Sequence, residues 1–70
     1  MAEMFPLKST NVSAAGLDGD TLLVEFHSGS TYAIGGSSEA ELQDLLTSPS
    51  PGAWYARNVK QAGRTARRVG

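Results

Sequence analysis

Leu22, Val24 and Phe26 alternate with Leu23, Glu25 and His27, the period-two pattern of a strand with one buried face. Upstream, Asn11 to Leu17 is rich in small residues, with Val12 and Leu17 as its bulkier members, and reads as a preceding strand that turns at Asp18-Gly19. Register predicts the next connection. A two-residue Ser28-Gly29 loop would pair Glu25 with Tyr32 and put Tyr32 on the wrong face. A three-residue His27-Ser28-Gly29 loop, a type I turn plus bulge with Gly29 in the left-handed region, sets Phe26 against Ser30, Val24 against Tyr32 and Leu22 against Ile34. One apolar face then carries Leu22, Val24, Phe26, Tyr32 and Ile34.

Gly35-Gly36 ends this sheet, and Ser38-Glu39-Ala40-Glu41 reads as a capping box in which the serine hydroxyl and the Glu41 carboxylate satisfy each other's backbone N–H groups. Leu42, Leu45 and Leu46 fall on one side of the helix that follows, with Glu39, Glu41, Gln43 and Asp44 turned away. Ser50-Pro51 starts a second helix, a capping serine with proline at the first helical position, running to about Gln61. At about 100° per residue, Tyr55, Val59 and Ala62 cluster on one side, Arg57, Lys60 and Arg64 nearly opposite, and Trp54 at the border. Gly63 breaks the helix. The expected fold is therefore α+β, a three-stranded antiparallel sheet followed by two short helices packed on one face (β-β-β-α-α). Residues 1–10 read as an irregular lead-in pinned by Phe5, 11–62 as the folded domain, and 63–70 as a basic tail.

Composition narrows the class. Seventy residues allow one small domain, and no apolar run approaches the ~18 residues of a membrane span. The start MAEMFPLKST has no cationic stretch leading into an apolar core, which argues against a secretory signal, and the lack of cysteine fits an expected cytoplasmic setting. With no cysteine, disulfides and thiolate metal sites are ruled out, and packing or self-association must hold the chain together. Charge is sharply divided: all seven acids lie between Glu3 and Asp44, and five of the six bases lie from Arg57 onward. Such a basic end is an electrostatic footprint for phosphates or for the acidic half of this or a neighbouring molecule.

Candidate chemistry concentrates there. Arg57, Lys60 and Arg64 on one helical face, with Arg67 and Arg68 in the tail, suit phosphate contact, and Trp54 at their edge suits stacking on an unpaired base; the structural alternative is a solvated helix face with Trp54 over the core. Tyr32 and Phe26 are placed in the core by register. His27, alone in a turn, has no nucleophile motif around it, Asp18-Gly19-Asp20 lacks the remaining ligands of a calcium loop, and the glycines form no phosphate-binding fingerprint. No catalytic residue, cofactor or metal site is expected.

In order and spacing the residues resemble the KTSC domain, a small module named for the C-terminus of some lysyl-tRNA synthetases and found mostly as stand-alone bacterial and phage proteins. The likeness is carried by Ser9-Thr10 followed by Val12, the Leu22-x-Val24-x-Phe26 strand, the turn ending at Gly29, Tyr32, the leucine helix, and Ser48-x-Ser50-x-Gly52 leading into Trp54-Tyr55 and Val59-Lys60. Two positions depart from it: the family's central Tyr-x-Tyr is here Tyr32-Ala33-Ile34, and the asparagine usual after the paired aromatics is Ala56. The resemblance implies an accessory module for which RNA binding has been proposed. Together these readings predict a non-catalytic binding module that takes RNA or single-stranded nucleic acid through Trp54, Arg57, Lys60, Arg64, Arg67 and Arg68. The alternatives are a protein-interaction or oligomeric adaptor, phage-related and able to pair with itself as a homodimer, and a small-nucleotide-binding sponge. No membrane partner is expected.

Overall fold

The structure, a computed structural model, describes residues 3–70. Strands β1 (Glu3–Pro6), β2 (Val12–Asp18), β3 (Thr21–Phe26) and β4 (Thr31–Ile34) precede helices α1 (Glu39–Thr47) and α2 (Pro51–Tyr55). The second helix continues as a π-helical turn, Ala56–Lys60, and the chain returns to the sheet as β5 (Ala66–Arg68). The strands lie in sequence order, each antiparallel to its neighbour. The α+β architecture with two helices is as expected; the sheet has five strands rather than three. The lead-in supplies β1 and the basic tail supplies β5. Glu3-Met4-Phe5-Pro6 and Ala66-Arg67-Arg68 are too short to show alternation, and their proline and charges are what edge strands favour and interior strands avoid.

The central hairpin has the predicted register. Leu22 faces Ile34, Val24 faces Tyr32, Phe26 N–H donates to Ser30 O at 2.9 Å, and Gly29 takes the left-handed φ of 96° that closes such a turn. Leu22, Val24, Ile34, Leu45, Val12 and Val59 are all less than 2% exposed, and with Trp54, Tyr55 and Leu42 they form one core between the sheet and both helices. Among the described residues no helix lies over the opposite face of the sheet. Met4, Gly16, Leu23, Ala33 and Arg67 form one row across its five strands. Gly16 lets β1 lie close: a Cβ there would collide with the Glu3 carbonyl oxygen and sit 2.8 Å from Met4 Sδ.

The two helix starts differ from expectation in a way that bears on the site. Ser38 Oγ accepts from Glu41 N–H at 3.4 Å, but the capping box is half formed, because the Glu41 carboxylate turns away to Arg64. Ser50 occupies the N-cap position of α2 with Pro51 after it, and its hydroxyl makes no capping bond.

Candidate binding cleft and its cationic border

Where the helices run out over the β3–β4 hairpin, the core opens into a cleft. A hollow of about 430 Å³ lies between Phe26, Ser30 and Tyr32 of the hairpin and Tyr55, Lys60 and Arg64 of the second helix and the turn after it. A second, of about 350 Å³, shares Phe26, Ser28, Tyr55 and Lys60 and extends toward Asn11, His27 and Ala56. Both fall in the lower part of the range of small-molecule sites, roughly 300–1,000 Å³. Phe26 is the hub: its ring centroid lies 5.8 Å from that of Tyr32 and 5.0 Å from that of Tyr55, edge-on to each, an arrangement favoured by the ring quadrupoles.

The π-helical turn brings a cation to these rings. In an α-helix residues 55 and 60 would point about 140° apart. Here bonds span five residues, Gln61 N–H to Ala56 O and Arg64 N–H to Val59 O, each 2.9 Å, so residue 60 returns over residue 55. Lys60 Nζ accordingly stands 5.8 Å from the Tyr55 ring centroid, within cation–π reach. Burial, and secondarily the neighbouring Tyr32, holds the Tyr55 hydroxyl above its ordinary pKa.

The six residues singled out from sequence separate. Lys60 and Arg64 line the same hollow as Tyr55 and Val59, not the opposite helical face, because the π turn changes the angular spacing on which that expectation rested. Arg64 is held in place: Nη1 donates to Glu41 Oε2 at 2.8 Å and Nη2 to Ser37 Oγ at 2.7 Å and Gly35 O at 3.2 Å. This is the one ion pair among the described residues, so Lys60 keeps its charge unpaired. Arg57 is exposed, three residues ahead of Lys60. Arg68 pairs with Tyr32 across β4–β5 and shares its sheet face, whereas Arg67 pairs with Ala33 and falls on the uncovered face.

Trp54 requires the clearest correction. It is 5% exposed, its ring belongs to the core, and its Nε1–H donates to Asp44 Oδ2 at 2.7 Å, tying α2 to α1. The indole is thus closed to stacking, and the aromatic lining of the cleft comes instead from Phe26, Tyr32 and Tyr55. Sequence reasoning placed these in the core, correctly for most of their surface; the missed signal was that Tyr32 and Phe26 sit at the hairpin end, beyond the reach of the leucines of α1. His27 is exposed, its Nε2 2.7 Å from Ser9 O, a contact that anchors the loop before β2. Among the described residues no helix is long and apolar enough to cross a membrane.

Residues 8–62 match the model of the KTSC domain. A crystal structure of a KTSC domain protein from Yersinia pestis superposes with a TM-score of 0.80 at 25% identity, covering the whole of both chains. No curated protein matches the sequence. Ile34 is wholly buried, whereas Ala56 lines the second hollow. On the match across most of its length and the shared architecture, the chain belongs to the KTSC domain family.

Proposed function

We propose that this chain is a non-catalytic binding module for single-stranded nucleic acid, RNA foremost, which it takes at the cleft between the β3–β4 hairpin and the second helix. The observation that carries the reading is the convergence of three aromatic side chains and the unpaired Lys60 on one hollow, with Arg68 on the same sheet face as Tyr32 and Arg57 exposed one turn before Lys60. Unstacked bases need an apolar or aromatic surface and their backbone needs cations, and the two occur here side by side. A duplex keeps its bases stacked and offers nothing to a hollow of this size.

Titration of labelled oligouridylate at two ionic strengths tests the reading. With about three phosphates neutralised, the log–log salt slope should be about −2, and Arg57→Glu/Lys60→Glu should remove most of the affinity while Arg67→Glu, on the other face, leaves most of it. Affinity indifferent to the double charge reversal would overturn the proposal. A second reading, association of two copies, is favoured by the uncovered sheet face, where Leu23, Met4 and Ala33 are half-buried with no helix above them. Light scattering over a concentration range decides it, a constant monomer mass ruling it out.

A further inference from the structure

The cleft contains two polar groups that the fold leaves unpartnered. The hydroxyls of Tyr32 and Tyr55 bond to no described residue, and neither is sealed from solvent, the buried oxygen left without a partner among the described residues being Glu41 Oε1, so both phenols are free to donate to a ligand. Both rings flank Phe26, and the influence of Tyr32 on the acidity of Tyr55 places the two phenols within electrostatic reach. Lys60 stands over one of them. Arg64, by contrast, is committed to Glu41, Ser37 and Gly35 and frames the hollow without a free guanidinium to offer.

Resting on the nucleic-acid reading above, we infer that Tyr32, Tyr55 and Lys60 form a phosphate site, two phenolic O–H donors and one ammonium holding a single phosphate group while the apolar wall beside them takes the adjoining nucleoside. A phosphate matches this set because it presents several acceptor oxygens and a charge at one point. A neutral nucleoside would leave Lys60 unanswered, and a cation would be repelled by it. One phosphate is thus assigned to the lining of the cleft, in addition to those met by the exposed Arg57 and Arg68.

The test uses the full chain with uridine, uridine monophosphate, inorganic phosphate and an oligouridylate lacking a terminal phosphate, followed by amide chemical shifts and calorimetry. Uridine monophosphate should shift the amides of Ser30, Thr31 and Ala66, inorganic phosphate should displace it, and uridine should do neither. Binding of the oligonucleotide at the same amides identifies an internal phosphodiester as a sufficient source; its failure to reach them restricts the site to terminal phosphates. Tyr32→Phe and Tyr55→Phe remove one oxygen each, and each should weaken the monophosphate roughly tenfold. Tyr32→Phe alone suffices if the pair disturbs folding, since Tyr32 is only half-buried. Equal affinity of native and Phe variants for the monophosphate, or of uridine and its monophosphate for the native chain, would overturn the site. The two proposals fail separately. Oligonucleotide binding that falls with Arg57→Glu/Lys60→Glu but ignores the tyrosine variants preserves the nucleic-acid reading and sinks the phosphate site. Hydroxyl-dependent monophosphate binding without oligonucleotide binding does the reverse.

Discussion

The two faces of the sheet are built from the same strands and have opposite fates. On the helix side Leu22, Val24 and Ile34 are fully buried; one residue along the same strands, Leu23 and Ala33 look outward with only Met4, Gly16 and Arg67 in their row. The difference teaches where a domain of this size keeps its energy and where it has surface to spare. The helices cover the middle of the sheet, and the candidate site lies at the margin of that cover, where side chains large enough for a core have edges left over. Leu45→Ala, at a position with no exposure, should cost about 2–5 kcal/mol in urea unfolding. Leu23→Ala, half-buried on the other face, should cost about 1 kcal/mol or less. Equal costs, with a midpoint that rises with protein concentration, would mean that a second copy covers the open face in solution, and the contrast between the faces would disappear.

A smaller effect is expected at the seam between the helices. Trp54 depends on Asp44 for its indole N–H, and Asp44→Ala would leave that donor unpaired in a mostly buried place, costing about 1–2 kcal/mol. Tryptophan fluorescence checks it directly, since the emission should move toward the red if water replaces the carboxylate. Asp44→Asn retains an acceptor and should lose less. An unchanged stability in Asp44→Ala would show that packing alone fixes the indole, and that the helix side is even more exclusively apolar than the geometry implies.

How much of this was legible in the sequence follows from the kind of interaction each element depends on. The hairpin register could be read because alternation at Leu22, Val24 and Phe26 leaves one loop length that keeps Tyr32 and Ile34 on the same face. The α1 start could be read from Ser38, though Glu41 was assigned to the wrong partner: a carboxylate near a backbone N–H is a local fact, and Arg64, 23 residues away, is not. The edge strands were hidden because β1 and β5 borrow their order from neighbours already paired. The π turn was hidden most deeply. Nothing in Ala56-Arg57-Asn58-Val59-Lys60 breaks an α-helical pattern, yet the change in winding moves Lys60 from the far face to Tyr55, and with it the centre of the candidate site from Trp54 to the hairpin aromatics.

The smallest effect tests the wall of the cleft itself. Tyr55 has a hydroxyl with no partner among the described residues, so Tyr55→Phe orphans nothing and should change stability at neutral pH by only about 0.5 kcal/mol or less. At high pH the two chains should part. Burial holds the Tyr55 hydroxyl above its ordinary value, with Tyr32 adding to the effect, so the folded state prefers the protonated phenol more strongly than the unfolded chain does. That preference contributes fully below the unfolded value near 10 and is lost as pH rises through the higher folded value. Denaturation midpoints at about pH 8 and about pH 10.5 should therefore fall more steeply for the native chain than for Tyr55→Phe. Every other side chain is the same in both chains, so the comparison isolates residue 55. Parallel declines would mean that water reaches this hydroxyl freely, and Tyr55 would then belong with Leu23 among the side chains left outside, not to the wall that divides core from cleft.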